Sequence, residues 1–311
     1  MKKTVVILLS DKRSGSTMFE RELCKHPDIN HVDYTPHTYN ETHHWLKAAC
    51  MLDLPRQEFY GHKVPQNYGS KNAVRKYLID GIQGNVPDFK IPSSDEDLVI
   101  LGWEALCEKY AKPVFFEKTP HYLVHWACLD LILRWMERMS YDVKFIGLIR
   151  NPMSVMYSAN KLFYTSPDER QFGWAQAYRN LLSFKDFLVP DQFLLVRYEE
   201  LIADPQASFR NICSFLDLDH YYALGQEAHK DSLTKWKDDA NFGFQLNESV
   251  ARLAKHYGYT EEELTNPGKA TSIAYTESLG FKTRRLASRS KAKLIDRYLK
   301  PLLLKYTHKK H

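Results

Sequence analysis

Arg13-Ser14-Gly15-Ser16-Thr17 follows the apolar, β-branched run Thr4-Val5-Val6-Ile7-Leu8-Leu9, and this order of residue types suits the capture of an anion. A strand that feeds a tight loop at a helix N-terminus aims several backbone N–H groups at one point, where negative charge is stabilised. Arg13 adds a fixed positive charge, Ser14, Ser16 and Thr17 add hydroxyl donors, and Gly15 lets the backbone approach closely. The loop lacks the Gly-Lys-Ser/Thr ending of a nucleotide triphosphatase P-loop. It reads as a phosphate-type cradle without the lysine and magnesium chemistry of that motif. The same Ser-Gly-Ser-Thr would also serve as an ordinary helix cap.

A second stretch repeats the design. Val143-Lys144-Phe145-Ile146-Gly147-Leu148-Ile149 has the character of a buried strand, and Arg150-Asn151-Pro152 ends it. Arg150 thereby falls at a strand's carboxyl end, where open α/β sheets collect ligands. Pro152 suits the first position of a helix, and Ser158 lies roughly two turns along it. An arginine fork with a hydroxyl can cradle a second phosphate; the plainer alternative is a surface ion pair and a packing serine. Glu117-Lys118-Thr119-Pro120 follows another short strand, Pro113–Phe116, either as reactive charges or as exposed residues at a helix start capped by Thr119. His31, His37, His43 and His44 invite a metal reading. They contain no His-Glu-x-x-His pattern, and adjacent helical residues cannot face one ion, so no metal is expected.

These residues need a frame of alternating strands and helices. Besides the runs at 4–9 and 143–149, Gln192–Arg197 reads as a strand. Helical spacing covers about 122–139, 152–163, 170–187 and 205–216, and the part from Glu227 on reads as mostly helical. The pattern predicts an α/β fold: a three-layer, mainly parallel sheet with helices on both faces. Residues 30–110 carry many Pro, Gly, Asn, His and Tyr residues and read as irregular substrate loops, with a helix near 72–81. With 311 residues and no internal repeat, one domain over 1–311 is expected. The net charge of +5 is too small to argue for nucleic acid. The apolar run after Met-Lys-Lys is too short for a secretion signal, and no later run could span a bilayer. Five scattered cysteines without paired spacing fit reduced thiols in the cytoplasm.

Taken in order, the motifs resemble the sulfotransferase family, which uses 3′-phosphoadenosine 5′-phosphosulfate as sulfuryl donor. Residues 13–17 look like its 5′-phosphosulfate loop, and Leu148-Ile149-Arg150-Asn151-Pro152 with Ser158 looks like its 3′-phosphate motif. Arg197-Tyr198-Glu199-Glu200-Leu201 with Asp204-Pro205, and then Ser278-Leu279-Gly280-Phe281, fall in the family's order. Glu117-Lys118-Thr119-Pro120 resembles a segment of carbohydrate and bacterial sulfotransferases in which a lysine reaches the donor's sulfate.

The resemblance implies a P-loop-like sulfotransferase fold and metal-free, in-line transfer to a hydroxyl of a carbohydrate or small-molecule acceptor. Donor binding would fall to Arg13, Ser14, Gly15, Ser16, Thr17, Arg150, Ser158 and Ser278. Lys118 would neutralise charge on the leaving phosphate. The base that takes the acceptor's proton is expected about twenty residues past Arg13. There Asp33 is the first candidate, with His37 and His31 open. Two competitors remain: a nucleotide-binding adaptor on the same frame, and a P-loop kinase, which the missing loop lysine disfavours. Acceptor identity and oligomeric state are not encoded in any motif.

Overall fold

The computed structural model describes residues 3–37, 39–55, 58–59, 62–63, 69–228, 233–239, 242–265, 283 and 287. The chain begins with β1 (Thr4–Ser10), α1 (Ser16–Leu23), β2 (Ile29–Asn30), α2 (His44–Met51) and the short antiparallel pair β3 (Glu58–Phe59) and β4 (His62–Lys63). It continues through α3 (Lys71–Asn85), α4 (Asp95–Tyr110), β5 (Val114–Lys118), α5 (Trp126–Met136), β6 (Asp142–Ile149), α6 (Pro152–Phe163) and α7 (Pro167–Lys185). Next come β7 (Phe193–Arg197), α8 (Tyr198–Ala203), α9 (Pro205–Phe215), α10 (Lys235–Asp238), α11 (Glu248–His256) and α12 (Glu261–Leu264).

Five strands form one parallel sheet in the order β2-β5-β1-β6-β7. Every residue of β1 is buried, as expected of a central strand covered on both faces. On one face Val6 and Leu8 join Phe19, Phe116, Ile146, Leu148 and Phe209 in a core that also takes in α8 and α9. On the other, Phe115 packs on Trp103 of α4 with ring centroids 5.6 Å apart, and Phe145 packs edge-on to Phe184 at 5.0 Å. This is the expected α/β sheet with helices on both faces. Register sets the function: Leu8 lies opposite Lys118 and Ser10 opposite Leu148, so the loops after β1, β5 and β6 leave the sheet at one edge. The strand order also reverses beside β1, the position where open α/β sheets hold ligands.

The helix expected near 72–81 is α3, but residues 30–110 differ from the irregular reading in also holding α2 and α4. The glycines taken as loop punctuation are contact points between packed elements. A Cβ at Gly84 would run into the Tyr34 ring, and one at Gly102 into Ile82. The starts of both longer helices follow ordinary capping, with Ser70 accepting from the Ala73 N–H at 3.4 Å and Ser94 from the Asp97 N–H at 3.2 Å.

The chain divides into two compact units, 1–152 with 172–233, and 153–171 with 234–311. In the second unit the Tyr157 hydroxyl donates to Asp239 at 3.1 Å, Lys161 pairs with the same carboxylate at 2.6 Å, and Phe242 stands edge-on to Tyr157 at 5.0 Å.

Candidate active site

The loop after β1 is a tight turn. The Ser14 N–H donates to the Asp11 carbonyl at 3.3 Å, and Arg13 and Gly15 both take left-handed backbone angles, with φ of 70° and 91°. Gly15 is the residue such geometry favours, and a Cβ there would also collide with the Tyr198 ring. Gly15 caps α1 without a capping side chain, so the first-turn N–H groups receive none of the usual serine or aspartate acceptors. The Ser14 hydroxyl is fully buried and bonds the Tyr178 hydroxyl at 3.0 Å, which in turn donates to the Leu148 carbonyl at 2.9 Å. Ser14 thus ties the loop to β6, while Ser16 and Thr17 open the helix.

Arg150 meets this loop from β6. Its Nη1 donates to the Arg13 carbonyl at 3.2 Å, its guanidinium lies 4.5 Å from the centre of the Tyr198 ring, and its carbonyl accepts from the Trp174 indole at 3.0 Å. The Asn151 N–H donates to Glu199 at 3.0 Å. These contacts explain two of the motif residues after β7: Tyr198 supports Arg150, and Glu199 holds the turn that follows it. Burial, and then the charge of Arg150, hold the Arg13 pKa below its usual value. Two guanidinium groups gathered in a half-buried place repel one another until an anion neutralises them. Ser158 is half-buried on α6 in the second unit, and Ser278 lies outside the described residues.

Lys118, itself fully buried, projects from β5 into an ion cluster. Its Nζ lies 3.1 Å from Glu20 Oε2 on α1 and 3.1 Å from Glu41 Oε1. Burial would depress its pKa, yet Glu41 and Glu20 outweigh burial and hold it above the usual lysine value. Glu41 is also opposed by burial, but the hydrogen bond to His43 and the charge of Lys118 bring it down to about 2. Burial raises Glu20, against the pull of Lys118.

The other Glu41 oxygen, Oε2, faces His43 Nε2 at 3.0 Å and His37 Nδ1 at 4.0 Å. The His37 and His43 rings are 4.4 Å apart, and His121 stands edge-on to His43 at 4.9 Å. Burial lowers the pKa of both His43 and His121, and the Lys12 ammonium of the β1 loop lowers them further. Because Glu41 is ionised it can only accept, so His43 carries its proton on Nε2 and keeps its lone pair on Nδ1.

Asp33 has other partners. Its exposed carboxylate accepts from the Tyr110 hydroxyl at 2.8 Å and from Lys109 at 3.1 Å, and the tyrosine bond, aided by Lys109, holds its pKa low. His31 bonds the Val32 carbonyl at 2.9 Å. Glu20, Tyr178, Tyr198 and Glu199 had no assigned role in the sequence reading. Only the Arg-Tyr-Glu-Glu-Leu motif signalled the last two.

Glu117 is fully buried, and its Oε1 accepts from Thr42 at 2.8 Å, Thr119 at 2.7 Å and Tyr122 at 3.3 Å. Burial outweighs these donors and pushes the carboxyl up from 4.5 to about 7. Between those values the folded chain holds a proton that the unfolded chain has lost, so stability falls as pH rises. Glu117→Gln keeps the acceptor oxygen without the charge. It is expected to raise stability by up to about 3 kcal/mol above neutrality and to change little in acid. Thermal melts across pH check this, and an alkaline melting temperature no higher than wild type's refutes it.

The sulfotransferase family profile matches residues 6–222, and the chain belongs to that family. Among solved structures it is similar to the sulfotransferase domain of the Synechococcus PCC 7002 olefin synthase, with 20% identity, a TM-score of 0.54, and 83% of this chain and 96% of that one covered. It is likewise similar to the sulfotransferase domain from the curacin biosynthetic pathway, with 20% identity, a TM-score of 0.52, and 84% of this chain and 99% of that one covered. These likenesses show the shared P-loop-like fold. No curated protein is similar enough to match. Among the described residues, no helix is long and apolar enough to cross a membrane.

Proposed function

We propose that the chain, as one domain over 1–311, transfers a sulfuryl group from 3′-phosphoadenosine 5′-phosphosulfate to a hydroxyl of a carbohydrate or small-molecule acceptor. The observation that carries this reading is the convergence of Arg13 and Arg150 on the uncapped start of α1. The residues present fit the donor: a guanidinium and backbone N–H groups at Arg13–Thr17 suit its phosphosulfate end. The resemblance of the motifs assigns the 3′-phosphate to Arg150, Ser158 and Ser278, and a guanidinium at Arg150 suits that charge. In the in-line step the acceptor oxygen bonds sulfur as the sulfur–phosphate bridge breaks, and the electron pair leaves on the phosphate. The acceptor's proton goes to a base in the Glu41–His43–His37 cluster. Lys118, held between Glu20 and Glu41, fixes that carboxylate and adds positive potential behind it. The five free cysteines favour a reducing compartment, the cytoplasm.

Calorimetry with the desulfated product, 3′-phosphoadenosine 5′-phosphate, tests the donor site. Tight binding with a raised melting temperature is expected, and only weak binding of ATP, since the loop lacks the lysine of a triphosphate cradle. Equal or better affinity for ATP would overturn the reading. Donor turnover over a panel of alcohols separates an enzyme from an adaptor, which would bind the product nucleotide and transfer nothing.

A further inference from the structure

We propose that His37, Glu41 and His43 form a binding site for a divalent transition metal ion of the zinc class. One potential ligand atom from each residue lies within 4.8 Å of the others. A tetrahedral zinc ion with bonds of about 2.0–2.2 Å needs its ligand atoms about 3.4 Å apart. The contacts of 3.0 and 4.0 Å from Glu41 Oε2 bracket that value. Two imidazoles and one carboxylate are also the donor set that suits zinc.

The surroundings fit as well. Glu41 divides its oxygens, Oε1 to Lys118 and Oε2 to the histidines, so the lysine orients the carboxylate as an outer partner without covering the ligand atom. His121 stands beside His43 with a buried Nδ1 that has no hydrogen-bond partner, a nitrogen available to complete the shell. The His37 side chain is 24% exposed against 9% for Glu41, so an ion can come in past His37. His44 takes no part: it bonds the Val99 carbonyl at 2.8 Å, facing α4.

The site has a regulatory consequence that rests on the function proposed above. Zinc on His43 Nε2 leaves the ring's proton on Nδ1, the atom that would take the acceptor's proton, so zinc inhibits transfer and a chelator restores it.

The test is zinc titration of the chelator-treated full chain by calorimetry, with cobalt substitution to read the coordination by visible absorption. One tight site with a tetrahedral cobalt spectrum is expected, lost in His37→Ala and His43→Ala and kept in His256→Ala, which removes an exposed histidine on α11. His43 has a left-handed backbone angle, φ 52°, and its variant could fail to fold. The part-exposed His37→Ala, checked by circular dichroism, decides the matter alone. No uptake by the wild type, or uptake unchanged in folded His37→Ala, overturns the proposal. Uptake without inhibition upholds the metal site and removes His43 from the reaction, so the two readings fail separately.

Discussion

Replacing Arg150 with alanine is expected to weaken binding of 3′-phosphoadenosine 5′-phosphate by about 2–4 kcal/mol, as for a buried, charge-assisted contact with a phosphate. The side chain is placed for that task by contacts that do not compete with it: stacking on Tyr198 uses the face of the guanidinium, and the Arg13 carbonyl takes one N–H. A planar guanidinium is the side chain best suited to a bidentate anion contact. Arg150→Lys should recover only part of the loss, because a point charge neither stacks nor forks. Removing the Arg150 charge also relieves Arg13, so part of the lost affinity is offset by a better-tolerated Arg13. For that reason the double variant with Arg13→Ala should lose more than the two single losses added together, because neither arginine is left to compensate. Calorimetry on the three variants measures this. Unchanged affinity in Arg150→Ala would leave the residue a purely structural one.

The frame and the anion loop were legible because their signals are local. An apolar run long enough for one strand, an Arg-Ser-Gly-Ser-Thr turn and an Arg-Asn-Pro turn each carry their own meaning, and the sheet needs only to set them side by side. Gly15 is one such case: its left-handed angle and the Tyr198 ring above it both require the residue that the sequence shows. The acceptor side was not legible, because its signals are long-range. Asp33 had a suitable offset along the chain, but Tyr110 and Lys109 of α4, far off in sequence, take its carboxylate. Lys118 read either as a reactive lysine or as an exposed charge at a helix start, and Glu20 and Glu41 bury it from two other elements.

The histidines show the same limit. The rule against neighbouring ligands holds on a helix, whereas His37 and His43 both precede α2 and meet on one carboxylate. The helices within 30–110 were obscured by Gly84 and Gly102, which serve packing and not turning.

His43→Ala is expected to lower turnover by about 10²–10⁴-fold while leaving affinity for 3′-phosphoadenosine 5′-phosphate intact, the usual worth of a positioned base. The argument is geometric. Glu41 is locked by Lys118 through one oxygen and holds His43 Nε2–H through the other, which fixes both the ring and its tautomer. Nδ1 is then the basic atom, in a buried ring close enough to Lys12 of the anion loop to feel its charge. Added imidazole should restore part of the lost rate in His43→Ala, since the cavity left by the side chain has the shape of the missing base. A merely structural histidine would show no such rescue. Asp33→Asn should retain most of the turnover, because it alters a carboxylate bound to Tyr110 and Lys109, and its chief cost should be to stability. His37→Ala should fall between the two, its ring touching His43 without sharing the short bond to Glu41. If Asp33→Asn is the inactive variant and His43→Ala turns over normally, the proton goes to Asp33, and the histidine cluster is left with metal binding as its role.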